Sequence, residues 1–381
     1  MKNIKVMFLS AWYPNRITPL NGDFVERQAM AVAEQFPTTA LHVAADADMK
    51  GDQFEIVHLQ RGNLHETLVY FRRRRVNAFN KLLFIAGYLK GYHSILKSAG
   101  NPDIIHANII YRESIMAYLF RLFTGIPYIL SEHWTQYLHE KIPYAYRSRF
   151  LRIAVNNAAA VVTVTQNLSD ALRKHGFRNN RFHVIPNVVD TGIFKPGKSR
   201  TEGKKRILHV SSMKEEHKNI SGIIRTIARL SAIRKDFNFT FAGDASGEQM
   251  KLAGELGLSS DEMIFTGEVD HITVARLMKE SDMLVMFSNI ENLPCVILEA
   301  ISCGVPVIST FVGGIHEWLT PGQGILVEPR DEDSLLKAII SIMDNKDQYK
   351  PDQLHQYAED HFSNRVISEK LGAIYNSIVL K

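Results

Sequence analysis

The stretch Asn289-Ile-Glu-Asn-Leu-Pro-Cys-Val-Ile-Leu-Glu-Ala-Ile-Ser-Cys-Gly-Val-Pro-Val-Ile308 sets the interpretation of this 381-residue chain. The apolar run Met283-Leu-Val-Met-Phe287 before it reads as a buried strand, so the polar segment from Ser288 to Leu293 is the loop at that strand's carboxyl end. Pro294 starts a helix, because a missing N–H has no partner to lose at the first helical position, and Gly304 stands just past its end. The spacing predicts a helix over about Pro294 to Cys303, with the next strand following.

A helix amino terminus at the carboxyl end of a parallel strand offers backbone N–H groups and partial positive charge, a combination that suits a phosphate. Glu291 in the loop and Glu299 in the helix flank that terminus, and carboxylates accept hydrogen bonds from sugar hydroxyls. Two glutamates at this spacing occur by chance in most proteins, so spacing alone does not make a site.

The surrounding residues are more specific. Glu291 and Glu299 as Glu-x7-Glu, then Ala300, Gly304-Val-Pro-Val-Ile308, Gly313-Gly314 and Glu317, resemble the signature of retaining glycosyltransferase family 4. The resemblance implies an α/β protein of the GT-B fold, two Rossmann-like doubly wound parallel-sheet domains facing each other across a cleft. It divides the chain into 1–195, rejoined by a C-terminal helix at about 365–381, and 196–364. It also implies that Glu291 contacts the donor sugar, that Glu299 contacts the nucleotide ribose, and that amides at Asn292, Leu293 and Cys295 hold a diphosphate. The family's usual Gly-Phe-Gly after the first glutamate is here Asn292-Leu293-Pro294, so one amide donor is lost and the cradle is rearranged.

Composition agrees with a soluble globular chain long enough for two domains, with 45% apolar and 22% charged residues. The two cysteines, Cys295 and Cys303, lack the paired spacing of a zinc site or disulfide framework and read as reduced. The apolar core Val6 to Leu9 is too short for a signal peptide and no run approaches a membrane span, so a cytoplasmic location is expected. The net charge of +5 is uneven: residues 1–195 hold 24 Lys+Arg and 14 Asp+Glu, or +10, and residues 196–381 hold 21 and 26, or −5. The basic first half suggests an anionic partner.

In the first half, Lys5 to Leu9 reads as a strand and Phe24 to Phe36 as a helix with apolar residues at helical spacing. The loop between them, with Trp12-Tyr13-Pro14 and Asn21-Gly22-Asp23, resembles the family's first glycine-bearing loop, and Gly22 is carried over as donor-side. A nicotinamide-binding domain could open in the same way, with Asp46 as its ribose acid, but no G-x-G-x-x-G turn is present. Asp46-Ala-Asp48 also matches a metal-binding Asp-x-Asp, a short pattern common in loops, and no metal is assigned. Arg72 to Arg75 precede a helix at about Phe79 to Lys97, in which apolar positions interleave with Tyr88 and Tyr92. A membrane-facing stretch on anionic lipid and a solvated turn before a core helix weigh equally there. Nucleic acid is not expected, since no recognised module surrounds the arginines. The strand Pro127 to Ser131 ends in Glu132-His133-Trp134, and the resemblance makes His133 the histidine near the reacting carbon; His106 reads as structural.

Pro186-Asn187-Val-Val-Asp190 with Phe194 resembles the segment that closes the family's first domain, and Lys195 to Gly203 reads as a linker. In the second half Lys218, ahead of a helix at Asn219 to Lys235, matches the lysine that neutralises the diphosphate. The matching arginine position is Ser212, where Lys214 could substitute only without arginine's bidentate fork. Val269 resembles the segment beside the nucleobase and Ser288 the strand-end serine. The alternating strands and helices imply a parallel sheet.

The implied activity is transfer of a sugar from a nucleoside diphosphate sugar to the hydroxyl of a glycan or lipid-linked acceptor, with retention, without a metal or other cofactor. His133, Glu291 and Lys218 would be the catalytic groups. The altered Gly-Phe-Gly and the missing arginine leave two rivals, a GT-B-like protein that binds without transfer and a nucleotide-sugar epimerase or hydrolase.

Overall fold

A computed structural model describes residues 4–197 and 203–380. Of the expected linker, residues 198–202 lie outside the described residues. The chain forms two compact units, one running to Val188 and resuming at Asn364, the other Val189–Ser363.

The strands of the first unit are β1 (Val6–Ser10), β2 (Thr38–Asp46), β3 (Phe54–Arg61), β4 (Leu64–Arg72), β5 (Ile104–Asn108), β6 (Tyr128–Glu132), β7 (Ala160–Thr163) and β8 (Phe182–Val184). They form one sheet in the order β3-β4-β2-β1-β5-β6-β7-β8. Only β3 is antiparallel, a hairpin partner of β4 turned at Gly62 with φ 56°. Every other pair is parallel and its connections carry α1 (Asp23–Ala33), α2 (Asn77–Ser98), α3 (Arg112–Thr124), α4 (Arg149–Asn156) and α5 (Gln166–Lys174). A run of five fully buried residues in each of β1, β5 and β6 is what a parallel strand covered on both faces requires. The C-terminal helix Asn364–Val379 packs on α1, with Phe36 edge-on to Tyr375 at 5.7 Å. Tyr375 also reaches His106 Nδ1 at 2.7 Å, and His106 Nε2 lies 2.6 Å from Ser131 Oγ, so His106 is a buried core residue.

The hairpin is absent from the sequence reading, which leaves residues 51–70 unassigned. Its edge strand β3 is largely exposed, and β4 buries Glu66, a residue that signals loop until its partners are seen. Those partners are Tyr13 Oη, donating at 2.6 Å, and Arg61 Nε at 3.0 Å.

The second unit is an all-parallel sheet of β9 (Lys205–Val210), β10 (Phe237–Ala242), β11 (Met263–Phe265), β12 (Met283–Met286), β13 (Val307–Thr310) and β14 (Gly324–Val327). Its order is β11-β10-β9-β12-β13-β14, in which strands are added on one side of β9 and then on the other. This is the doubly wound order, and the crest above β9 and β12 is its topological switch point. Around it lie α6 (Glu215–Lys218), α7 (Ile220–Ile233), α8 (Gly247–Glu255), α9 (His271–Lys279), α10 (Cys295–Ser302), α11 (Glu332–Asn345) and α12 (Pro351–Phe362). Phe237, Phe239 and Phe241 of β10 and Ile223, Ile224 and Ile227 of α7 are fully buried, each such side chain contributing about 1.5–3 kcal/mol.

Pro294 departs from expectation. It is the N-cap of α10, not its first helical residue, with ψ 128°. The N–H that proline lacks is therefore outside the helix, and its carbonyl still accepts from Ile297 N at 3.2 Å.

Candidate active site

The switch point of the second unit is built from two loops. One follows β9 and leads through Ser211–Lys214 into α6; the other follows β12 and leads through Phe287–Pro294 into α10. They are laced together at the backbone, Asn289 N donating to His217 O at 2.7 Å and Asn289 Nδ2 to Glu216 O at 3.1 Å.

Lacing brings three of the expected site residues into contact. Lys218, the last residue of α6, pairs its Nζ with Glu291 Oε1, and Ser288 Oγ donates to the same oxygen at 3.0 Å. The lysine and glutamate side chains are 15% and 10% exposed, so the pair is only lightly screened by water. Ser288 is buried and its carbonyl accepts from Thr310 Oγ1 at 2.7 Å, tying the loop to β13. Asn292 and Leu293 are buried, and Cys295, half-buried, opens α10. Gly313 explains the glycine pair seen in the sequence. It has φ 58°, and a Cβ there would lie 2.0 Å from Glu291 O. Gly314 N then donates to Asn292 O at 3.1 Å. The loop is thus held at residues 291–292 by these glycines and at Asn289 by α6.

Ser212 and Lys214 lie exposed in the β9 loop; Lys214 is the N-cap of α6 and its carbonyl accepts from Lys218 N at 2.8 Å. Glu299, 2% exposed on α10, sits 4.0 Å from His271 Nε2 of α9, and the His271 ring meets Phe194 edge-on at 4.7 Å. Val269 is half-buried just before Asp270, the N-cap of α9, whose Oδ1 accepts from Thr273 N at 2.7 Å.

The sequence reading missed His209. Buried in β9, it places Nδ1 2.8 Å from Val285 O of β12 and Nε2 2.7 Å from Ser211 Oγ, which accepts from Met213 N at 3.0 Å. Burial lowers its pKa to about 4, so the ring is neutral at pH 7, Nδ1 donating to the carbonyl. This chain of bonds holds Met213 at φ 56° and so shapes the loop that delivers Lys218. The only sequence signal was a histidine inside the apolar run from Ile207 to Val210.

In the first unit, the crest of the sheet carries His133 and the Gly22 loop side by side. Gly22 has φ 76° and a Cβ there would lie 2.2 Å from the Trp12 carbonyl, so only glycine lets this loop close on α1. The loop's Trp12 meets Phe24 at 6.5 Å and Trp134 at 5.1 Å, and Phe24 meets the His133 ring at 4.8 Å. His133 Nδ1 faces Asn187 Oδ1 at 2.9 Å, which makes Nδ1 the donor and leaves Nε2 an acceptor in the neutral ring. Burial lowers its pKa to about 4.

Glu132, also missed, ties two strand-end loops together. Its Oε1 accepts from His133 N at 2.7 Å and Trp134 N at 2.8 Å, and its Oε2 from Ile110 N at 2.6 Å. Burial raises its pKa to about 7 against the pull of those three amides. The neighbouring Ile109 holds φ 69°, a left-handed conformation costly for a β-branched residue and stabilised by its N–H to Ser131 O at 2.8 Å. Asp46, weighed as a ribose acid or metal ligand, is bound instead by Arg16 at 2.7 Å, which holds its pKa below the usual range. Among the described residues no group of three or more His, Cys, Asp or Glu is placed to hold a metal ion.

Residues 27–192 match the Glycosyltransferase Family 4 model and residues 192–361 the Glycosyl transferases group 1 model. N-acetyl-alpha-D-glucosaminyl L-malate synthase of Bacillus anthracis is 24% identical over 291 residues, covering 73% of this chain and 74% of that one. The putative teichuronic acid biosynthesis glycosyltransferase TuaC of Bacillus subtilis is 25% identical over 62% of this chain and 60% of its own length. The phosphatidylinositol N-acetylglucosaminyltransferase gpi3 subunit of Schizosaccharomyces pombe is 27% identical over 61% of this chain, and only 51% of its length is spanned. Among solved structures, sucrose-phosphate synthase from Thermosynechococcus elongatus superposes with TM-score 0.76 at 16% identity, covering 99% of both chains. HepE from Anabaena, in complex with UDP and glucose, superposes with TM-score 0.74 at 19% identity over 98% of this chain and 100% of its own. With the two family models meeting at residue 192, the two parallel-sheet units of the GT-B fold and the glutamate pair around α10, the chain belongs to the group 1, family 4 glycosyltransferases.

Proposed function

We propose that this protein transfers a sugar from a nucleoside diphosphate sugar to an acceptor hydroxyl, with retention of configuration and without a metal ion. The observation that carries the proposal is the contact of Lys218, Ser288 and Glu291 at the switch point of the second unit, directly before the amino terminus of α10. A doubly wound sheet binds nucleotides at that place.

In this reading Lys218 and the positive end of α10 take up the charge that develops on the departing diphosphate, as fixed cations and dipoles do best in a water-poor site. When Lys218 turns to phosphate, the Glu291 carboxylate is released from it and can accept hydrogen bonds from the donor sugar, still oriented by Ser288. Glu299, held near His271, serves the ribose; Val269 lies beside the base. Gly22 and His133, neighbours in the first unit, take the donor-side roles that the family resemblance implies. Asn292, Leu293 and Cys295 shape the diphosphate cradle, and Ser212 stands where the family's arginine would.

The activities for which the relatives are named favour a glycan or lipid-linked acceptor in polysaccharide or glycolipid assembly. A thermal-shift panel of UDP, GDP and ADP with their sugar conjugates, run in EDTA, tests the donor. One base should stabilise the protein by roughly 2.7 kcal/mol at about 100 times its dissociation constant. Glu291→Ala, Glu299→Ala and Lys218→Ala should each lower transfer at least about 10²-fold. Wild-type rates in all three would remove the site.

A further inference from the structure

Helix α2 leaves an apolar face uncovered. One side of it, with Phe84, Gly87, Tyr88, Gly91 and Ile95, is buried, and Gly87 and Gly91 let it lie so close to the sheet that a Cβ would meet Val43 and Leu41 at 2.7 and 2.3 Å. The other side carries Phe79, Leu82, Ile85 and Leu89, spaced three to four apart and so neighbours along one helix face. They are 59%, 63%, 40% and 55% exposed, and Val76 just ahead of the helix is 54% exposed. Single exposed apolar residues are ordinary, but a continuous row over three turns marks an interaction surface.

The charge around this row selects its partner. Between Glu66 and Asp103 the chain has no carboxylate and seven cations, Arg72 to Arg75, Lys81, Lys90 and Lys97. Arg73, Arg74, Arg75, Lys81, Lys90 and Lys97 are exposed, and among the described residues none of them is paired with an acid. Elsewhere this protein pairs its surface arginines freely, as at Arg229 with Asp333 and Arg234 with Asp236 and Asp344. The adjoining α3, joined to α2 by Tyr92 against Phe120 at 4.7 Å, ends in Leu122 and Phe123, 59% and 85% exposed. No described helix is long and apolar enough to cross a membrane, so α2 can only lie on one.

We infer that the outward face of α2, with the arginines that lead into it, docks on an anionic phospholipid surface, the apolar row entering the acyl boundary and the cations meeting headgroup phosphates. A polar protein partner would leave the row unburied, and a second copy of this chain would set the cation cluster against its own duplicate. A bilayer with anionic headgroups satisfies both features at once. The inference stands on α2 and its flanks alone and does not require the transfer reaction.

The test is flotation of the full chain with vesicles of phosphatidylcholine alone or with about a third phosphatidylglycerol, at low and high salt. The wild type should float with the anionic vesicles, less so in high salt, and stay behind with the neutral ones. Each cation near the surface contributes roughly fivefold, so Arg73→Gln, Arg74→Gln and Arg75→Gln together should lower partitioning by about a hundredfold. Leu82→Gln with Leu89→Gln, at exposed positions where folding is not at stake, should weaken it too, with an unchanged melting temperature. Absence of flotation on anionic vesicles, or equal flotation on neutral ones, overturns the inference. So does a concentration-dependent dimer in light scattering that the leucine variant abolishes. Donor-induced thermal shifts in the same variants should equal the wild type's, which separates a failure here from a failure of the proposed activity.

Discussion

Replacing Lys218 by methionine removes the cation from Glu291 while keeping the length of the side chain. The carboxylate is then left 10% exposed, with Ser288 Oγ still donating to its Oε1. Breaking a fully buried pair costs about 3–5 kcal/mol, and the residual exposure of both partners screens this to roughly 1–3 kcal/mol. Glu291→Gln costs less, because an amide oxygen still accepts from Ser288 and only the lysine is left uncompensated, 15% exposed. The double variant should lose less stability than the sum of the two, with a coupling of about 1–2 kcal/mol in urea denaturation at constant m. Additivity to within about 0.5 kcal/mol would refute the pairing as an energetic link. The same variants separate the roles proposed for the two residues. Lys218→Met should weaken binding of the free nucleoside diphosphate, whereas Glu291→Gln, which leaves the lysine available to phosphate, should bind it at least as tightly as the wild type while transfer falls. Equal weakening of nucleotide binding in both would refute that division.

Two further outcomes are expected. Gly313→Ala should destabilise by at least about 1–3 kcal/mol and lower transfer, since its Cβ would stand 2.0 Å from Glu291 O at φ 58°. Gly125→Ala, at φ 75° with nothing within 4 Å, is the control that carries the conformational cost alone; equal melting temperatures for the two would refute the steric argument. Glu132 makes stability depend on pH. Its folded pKa of about 7 lies above the ordinary 4.5, so the native state holds the proton more tightly, and stability is fully present below the unfolded pKa and lost as pH rises through about 7. The loss is on the order of a few kcal/mol, and Glu132→Gln, though less stable overall, should lack that slope when urea denaturation is compared at about pH 5 and 8. An unchanged slope in the variant would assign the dependence elsewhere.

Much of the second unit was legible because its strands are short apolar runs bounded by polar turns. Met283 to Phe287 matches β12 to within a residue, and Gly304, at φ 73°, does end α10. The error of one residue at Pro294 arises because proline tolerates both the N-cap and the first helical position, and sequence does not distinguish a ψ of 128° from a helical one. The β3–β4 hairpin was not legible: it interrupts the parallel pattern with an exposed edge strand, and the burial of Glu66 is intelligible only with Tyr13 and Arg61 in place. His209 and Glu132 escaped for a similar reason. A polar residue in a buried strand has no local signature, because what makes its burial tolerable is a partner on another strand or loop.

Local pattern was enough to specify the alternation of strand and helix, the strand-end loops, and the placing of Glu291 and Glu299 around a helix start, since periodicity, proline and glycine act within a few residues. Long-range packing decided that Lys218 and Glu291, 73 residues apart, meet as an ion pair. It also decided which face of α2 is left to the solvent. Those outcomes follow from the order in which strands add to a sheet and from what each helix packs against, and no local pattern encodes either.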